Sequence, residues 1–277
     1  MAVTLALAFA TKRMTYEKLL VRILGSCETM ANASVVCTDK TGTLTQNVMT
    51  VVAGFMGING KFVRSLEENA SRTNAAEGSD DFSIDLSELN SVLTPALQQL
   101  LNESIAVNST AFEDKEPETE KVVFVGNKTE SALLRMVQDL GYEPYQKVRD
   151  RFGGQRTVQV IPFSSERKAM GVVVRLDNGK YRLYIKGASE VLSKKCTKHV
   201  VVTKDNKATV DTDVKIADID ETKAANVADT ITFLASQMLR TISLCYRDYE
   251  SWPPAGSSLD EEKNVRIDSP LHIYLLF

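Results

Sequence analysis

The sequence predicts an α/β (α+β) fold, in which a mixed or antiparallel sheet is flanked by helices. Two turns indicate antiparallel strands, because Asn59-Gly60 and Asp177-Asn178-Gly179 lie between short apolar runs, as in β-hairpins. Helices are indicated by the segments beginning at Thr94 and Asn127, where apolar residues recur at helical spacing. The chain has 277 residues, 43% of them hydrophobic, which is enough to bury a large core.

The composition excludes several classes of function. A net charge of -3 gives no bulk attraction to nucleic acid or anionic lipid, so we expect no nucleic-acid partner. His199 and His272 are the only histidines and stand far apart, which argues against a zinc site or a Ser-His-Asp triad. The cysteines form no CxxC pair, which favours packed thiols in a reducing compartment. They are Cys27, Cys37, Cys196 and Cys245.

The first part of the chain predicts helix and then strand. Residues 1–10 are apolar over about half the ~20 residues that a membrane span needs. Two interpretations remain open for them: a helix end packed on protein, or the cytoplasmic end of a membrane helix whose earlier part is missing. Lys12 to Met30 has helical spacing, interrupted at Gly25, and Ser34 to Thr38 predicts a buried strand.

The next part predicts a hairpin and a loop. Strands at Val48–Gly57 and Lys61–Arg64 would be joined by the Asn59-Gly60 turn. The segment Ser65–Asp85 is rich in Ser, Asn, Glu and Asp, so we expect an exposed, mobile loop.

Two helices are predicted in the middle of the chain. The first begins at Thr94-Pro95, a side-chain cap followed by proline, and continues to about Val107. The second covers Asn127–Leu140 and ends at Gly141. Between them we expect an acidic loop at Glu113–Glu120 and a strand at Lys121–Val125.

The second half predicts mainly strands. One long helix interrupts them from Asp220 to Leu239, with an apolar stripe formed by Val227, Ile231, Leu234 and Met238. The predicted strands are Thr157–Phe163, Met170–Leu176, Tyr181–Lys186, Thr241–Tyr246 and Leu271–Phe277.

The segment from Asp39 to Thr45, DKTGTLT, carries the most specific chemistry. A carboxylate at the end of a buried strand is ionised at pH 7 and suits a nucleophile that accepts a phosphoryl group. Gly42 would permit close approach of a phosphate, and the hydroxyls of Thr41 and Thr43 would bind its oxygens. Charge neutralisation in such chemistry normally comes from Mg²⁺. The alternative for a bare Asp-x-Thr is an ordinary turn.

The heptad DKTGTLT resembles the phosphorylation motif of the P-type ATPases, and other segments extend the resemblance. VTLALAFATKRM (3–14) is similar to the end of the fourth membrane helix and the stalk of calcium pumps. In the right order follow GNKTESALL (126–134), PFSSERKAM (162–170), KGASE (186–190) and LRTISLCYRD (239–248). These resemble nucleotide-domain motifs of plasma-membrane or vacuolar calcium-transporting ATPases, particularly fungal ones.

The resemblance implies roles for single residues. Asp39 would be the phosphorylated residue, within a catalytic segment that includes Lys40, Thr41, Gly42 and Thr43, and Asp39 and Thr41 would contact Mg²⁺. ATP would be bound by a second set, in which an aromatic ring stacks on adenine and cations reach the phosphates. This set is Glu130, Phe163, Lys168, Lys186, Gly187 and Arg240.

Each of these assignments has a structural alternative. Phe163 would otherwise be a core aromatic residue, and the lysines would be solvated surface residues. Glu130 stands three residues after Asn127 and could complete a capping box. Arg240 could pair with Asp248. Ser165 occupies a position at which the sarcoplasmic-reticulum branch carries arginine, so it is left out of the site.

The resemblance also implies a domain organisation. Residues 1–33 would form a stalk helix with a stub of membrane helix, and 34–48 the first part of a phosphorylation domain of the haloacid-dehalogenase-like, Rossmannoid type. The nucleotide-binding domain, 49–250, would be inserted after the first strand of that domain. Residues 251–277 would be a loop and a truncated return strand toward it. TGD and GDG motifs of the second half of the phosphorylation domain are absent after Phe163.

We therefore expect a fragment of an ATP-driven calcium pump that binds ATP but is catalytically incomplete. The parent would be integral to a vacuolar or plasma membrane, with this part cytoplasmic, Ca²⁺ as its transported ion, and the missing membrane and phosphorylation-domain segments as partners. ATP and Mg²⁺ are the expected cofactors. Two alternatives remain: a nucleotide-binding module without turnover, and a haloacid-dehalogenase-type phosphatase or phosphotransferase.

Overall fold

The computed structural model describes residues 2–73, 80–115, 120, 122–204, 214–258 and 273–276. The chain divides into two compact units, Met1–Val48 and Met49–Phe277. Several predicted segments fall partly outside the described residues, including part of the acidic loop and His272.

The first unit contains two helices. Helix α1, Ala2–Tyr16, has no buried residue, and α2 covers Ser26–Ala31. The expectation of one helical segment from Lys12, interrupted only at Gly25, is wrong, because α1 already ends at Tyr16. There Lys18 adopts a left-handed φ of +60° and the Leu19 amide bonds the Met14 carbonyl, which closes the helix end. None of the described helices has the length and apolar character to cross a bilayer.

The predicted buried strand at Ser34–Thr38 is not formed. These residues are exposed and form no regular element, without a strand partner among the described residues. A strand is stable only when its backbone groups pair with a neighbour. The apolar run Val35-Val36 therefore indicates a tendency to form a strand that this structure does not realise.

The second unit begins with a three-stranded sheet of β1 (Ala53–Met56), β2 (Gly60–Val63) and β3 (Phe82–Asp85). The predicted hairpin is confirmed, since β1 and β2 pair antiparallel, while β3 pairs parallel with β2. The loop predicted over Ser65–Asp85 is wrong in part, because it includes the short helix α3 (Leu66–Asn69) and β3. Phe82 and Ile84 alternate with polar residues and are buried, which is a strand pattern hidden in a polar segment.

Three helices cover one face of the larger sheet. Helices α4 (Pro95–Val107) and α5 (Lys128–Asp139) confirm the predictions, with Thr94 and Asn127 as caps. Helix α6 (Tyr145–Arg151) was not predicted. Between α4 and α5 lies a hairpin of β4 (Phe112–Lys115) and β5 (Val122–Val125), so Glu113–Lys115 belong to a strand and not to the predicted acidic loop.

The larger sheet has seven strands in the order β10-β9-β12-β11-β8-β7-β6, and only the β9–β12 pair is parallel. This confirms the predicted mixed, mostly antiparallel sheet. The strands are β6 (Thr157–Ser164), β7 (Ala169–Arg175), β8 (Tyr181–Ala188), β9 (Cys196–Val200), β10 (Ile216–Asp218), β11 (Ile242–Tyr249) and β12 (Ile273–Leu275).

Side chains alternate between two core clusters, one on each face of this sheet. On β8, Tyr184 packs into the cluster that includes α4, α5 and α6, whereas Leu183 and Ile185 pack into the other. The second face is covered by the short helix α7 (Ser189–Leu192) and by α8 (Glu221–Ser236). The prediction of a sheet flanked by helices is confirmed, and the structure shows helices on both of its faces.

Two expectations near the end of the chain differ from the structure. Val227, Ile231 and Leu234 of α8 are buried as predicted, but Met238 is exposed because α8 ends before it, at Ser236. We expected 251–277 to lead back to a phosphorylation domain. Instead, the described strand Ile273–Leu275 lies inside the seven-stranded sheet, between β9 and β11.

Candidate functional site

The segment that carries Asp39 forms an exposed, wide turn over Lys40–Leu44. Gly42 has φ +81°, which favours glycine, and its amide donates to the Thr45 hydroxyl at 3.3 Å. The Asp39 side chain is open to solvent, although the strand expected to precede it is absent. The carboxylate of Asp39 and the hydroxyl of Thr41 are thus accessible to a ligand. The loop that carries them is stabilised by its own internal hydrogen bond from Gly42 to Thr45.

Four strand ends of the second unit, which carry or adjoin candidate residues, meet at one end of the larger sheet. Strand β6 ends at Ser164, β7 begins at Ala169, β8 ends at Ala188 and β11 begins at Ile242. Because these strands alternate in direction, these four ends lie side by side, with Ala169 paired to Gly187 and Ala188 paired to Ile242. Phe163, Lys168, Lys186 and Arg240 occur within two residues of these ends.

Phe163 projects from this end of the sheet. The β6–β7 register shifts between Ile161 and Ser164, so Pro162 and Phe163 lie in an irregularity of the strand. Phe163 is 61% exposed, although a phenylalanine that served only the core would be buried. Its ring is therefore free to stack on a planar ligand.

Lys168 and Gly187 bring the two strands into close contact. Lys168 has a left-handed φ of +50°, its carbonyl accepts from the Ala188 amide at 3.0 Å, and its half-exposed ammonium lies 3.6 Å from Glu190. A Cβ on Gly187 would stand 2.5 Å from that Lys168 carbonyl oxygen. Only glycine at position 187 lets the two backbones come this close. The contact fixes the position of the Lys168 backbone at the start of β7.

Lys186 and Glu130 form a buried ion pair beside Gly187. The Lys186 Nζ donates to Glu130 Oε1 at 2.8 Å, with side chains only 7% and 4% exposed. Glu130 Oε2 accepts from the Thr110 amide at 2.8 Å, the Thr110 hydroxyl at 2.9 Å and the Ala111 amide at 3.1 Å. Glu130 therefore does not complete the capping box considered above, because its oxygens are directed at Thr110, Ala111 and Lys186.

The environment of this pair perturbs both ionisations. Burial lowers the pKa of the Lys186 ammonium, although Glu130 opposes that effect. For Glu130, burial acts to raise the pKa, but the charge of Lys186 and the hydrogen bonds outweigh it and hold the pKa below its ordinary value. The carboxylate is thus ionised at neutral pH and keeps the lysine in place.

Arg240 lies in the connection before β11 and is exposed. The ion pair with Asp248 considered above is not formed, because Asp248 binds Arg182 through both oxygens, at 2.5 and 2.7 Å. Within the described residues Arg240 makes no ion pair, so its guanidinium is available to an anion.

The second unit thus brings an exposed aromatic ring, cations and a buried carboxylate to one end of a sheet. Sequence reasoning missed Thr110 and Ala111, which donate to Glu130, and Arg149, which donates to the Ala111 carbonyl. No periodicity or motif marks them, because they act through backbone groups and long-range contacts. No three His, Cys, Asp or Glu side chains cluster as a metal site in the described part of the chain. Mg²⁺, however, usually binds one or two carboxylates together with substrate phosphates, which Asp39 and Thr41 fit.

This architecture defines the class of protein to which the chain belongs. The family model of the P-type ATPase cytoplasmic domain N matches residues 96–273, which is more than half of the chain. The chain therefore belongs to the P-type ATPase family, as the DKTGTLT resemblance predicted.

Three relatives are similar over nearly the whole chain. "Calcium-transporting ATPase 2" of Cryptococcus neoformans is 60% identical over 96% of this chain, and the Saccharomyces cerevisiae protein of the same name is 37% identical over 96%. Human "Plasma membrane calcium-transporting ATPase 4" is 37% identical over 94%. The chain spans only 19%, 26% and 19%, respectively, of these relatives.

Proposed function

We propose that the second unit binds ATP at the end of the sheet formed by β6, β7, β8 and β11. The observation that carries this proposal is the convergence of Phe163, Lys168 and Lys186 at paired strand ends. An exposed aromatic face suits adenine, and cations around it suit the phosphates. Glu130 and Gly187 support this arrangement by holding Lys186 and by admitting the Lys168 backbone. Arg240 extends it at the start of β11.

In the longer protein, we propose that ATP phosphorylates Asp39 and that this step drives Ca²⁺ across a membrane. The exposed carboxylate of Asp39 supports the role of phosphoryl acceptor, and the names of the relatives support calcium as the ion. When bound, Mg²⁺ would neutralise the charge of the transferring group, with Asp39 and Thr41 as its protein ligands. This chain would lie on the cytoplasmic side of that membrane, and the match of residues 96–273 to a cytoplasmic domain supports this placement.

Calorimetric titration of the 277-residue chain with ATP tests the binding site. Phe163→Ala should weaken binding by about 1 to 3 kcal/mol, the usual contribution of stacking on one base. Val160→Ala is the matched control, since Val160 lies on the same strand and is 62% exposed. Equal affinities of the wild type and Phe163→Ala would contradict the proposed adenine site.

A further inference from the structure

Arg149 lies on α6 and binds the end of α4 and the segment that follows it. Its Nε donates to the Ala106 carbonyl at 2.8 Å, and one terminal nitrogen donates to the carbonyls of Ser109 and Ala111 at 2.7 and 2.8 Å. The guanidinium also lies 4.6 Å from the ring centre of Tyr145, one turn earlier on α6. A single side chain thus holds three carbonyls within six residues.

These carbonyls need a partner such as arginine. Helix α4 ends at Val107, so the Ala106 carbonyl has no further helical turn to accept from, and a cation is favourable at a helix C-terminus. A guanidinium presents five donors in a planar fork, whereas a lysine ammonium is a compact point charge. Lysine would keep the charge of Arg149 but could not reproduce the three bonds together.

The peptide between Ser109 and Thr110 connects Arg149 to the proposed ATP site. In a trans peptide the carbonyl and the amide point in opposite directions. The Ser109 carbonyl accepts from Arg149, and the Thr110 amide donates to Glu130 at 2.8 Å. The other oxygen of Glu130 accepts from Lys186. Arg149, one peptide, Glu130 and Lys186 therefore form a continuous hydrogen-bonded chain, and such chains strengthen cooperatively.

The same segment is fitted closely against the start of α5. A Cβ on Gly126 would lie 3.1 Å from the Ala111 Cα, and Gly126 has φ +121°. The Ala111 backbone can therefore approach α5, the helix that carries Glu130. The position of the Ser109–Ala111 backbone is thus defined by Arg149 on one side and by α5 on the other.

We propose that Arg149 is a positioning residue of the ATP site, which fixes Glu130 and Lys186 through the Ser109–Thr110 peptide. This inference rests on the proposed ATP binding and assigns the site a member that touches no ligand. It predicts that the geometry of the Arg149 fork, and not only its charge, determines the affinity for ATP.

Titration of the full chain with ATP in three backgrounds tests the proposal. Arg149→Lys should weaken ATP binding about tenfold in the wild type and in Phe163→Ala, but by less than about twofold in Lys186→Met. A general loss of structure would weaken binding equally in all three backgrounds, so equal losses would overturn the proposal. Arg151→Lys is the matched control on the same helix and should leave the affinity unchanged, because Arg151 pairs with Glu143 at the surface.

A second variant covers the case in which Arg149→Lys fails to fold. Thr110→Val removes one hydroxyl donor to Glu130 and should weaken ATP binding about threefold, again only where Lys186 is present. If the wild type binds ATP but Thr110→Val, or a folded Arg149→Lys, binds it with unchanged affinity, this proposal is wrong while the proposed function stands. A wild type that binds no ATP would overturn the proposed function and this inference together.

Discussion

The Glu130–Lys186 pair should be energetically asymmetric. Glu130→Ala leaves the Lys186 ammonium buried without its carboxylate and leaves the donors of Thr110 and Ala111 without an acceptor. Removing one member of a buried pair costs about 3 to 5 kcal/mol of unfolding free energy. Lys186→Met removes one donor, while Glu130 keeps its three others, so we expect a smaller cost of about 1 to 3 kcal/mol.

Urea unfolding followed by the fluorescence of Trp252 measures this difference. Trp252 is the only tryptophan of the chain and lies in the same compact unit as the pair, where its Nε1 donates to Gln159 at 3.1 Å. The double variant should be less destabilised than the sum of the two single variants, because the unpaired charge then disappears.

The matched control is the surface pair Arg151–Glu143, which is similarly short at 2.6 Å. Arg151→Met and Glu143→Ala should each cost less than about 1 kcal/mol, since exposed pairs contribute little. If Lys186→Met destabilises the protein more than Glu130→Ala, the assignment of the carboxylate as the centre of this network is wrong.

Two further predictions follow from the same end of the sheet. Gly187→Ala places a Cβ 2.5 Å from the Lys168 carbonyl oxygen, so it should lower the unfolding free energy by about 1 to 3 kcal/mol and weaken ATP binding. A Cβ at Gly25 would have nothing within 4 Å, so the control Gly25→Ala should change neither the unfolding free energy nor the affinity for ATP. Burial acts to raise the pKa of Glu130, but Lys186 and the hydrogen bonds hold it below its ordinary value. The ionised Glu130 therefore contributes its full stabilisation above the ordinary carboxyl pKa, and this stabilisation is lost as the pH falls through the folded-state pKa. The urea midpoints of the wild type and Glu130→Gln should converge in acid. A difference between them that stays constant with pH would contradict the lowered pKa of Glu130.

Local chemistry made much of the fold predictable. Thr94 and Pro95 predicted the start of α4 because a hydroxyl cap and a proline act within one helical turn, and the Thr94 hydroxyl accepts from the Leu97 amide. Asp177-Asn178-Gly179 likewise predicted the β7–β8 hairpin. Ser34–Thr38 failed for the opposite reason: strand formation depends on a partner elsewhere, which an apolar run does not report.

The candidate site was predictable only in part. Motif resemblance identified Phe163 and Lys186 as candidates, but it did not predict how buried each side chain is or what it pairs with. The structure shows that Lys186 is buried in an ion pair with Glu130. Arg149 carries no motif and lies on a helix that was not predicted. Its contacts to Ser109 and Ala111 join residues about forty positions apart, and such contacts become visible only in three dimensions.

The place of β12 has a consequence for biosynthesis. Ile273–Leu275 is the last described strand along the chain, yet it separates β9 from β11. Until a ribosome has released this strand, the sheet exists as two incomplete halves with unpaired inner edges, which invite pairing with other nascent chains. Completion of the sheet must therefore wait for translation of almost the whole unit.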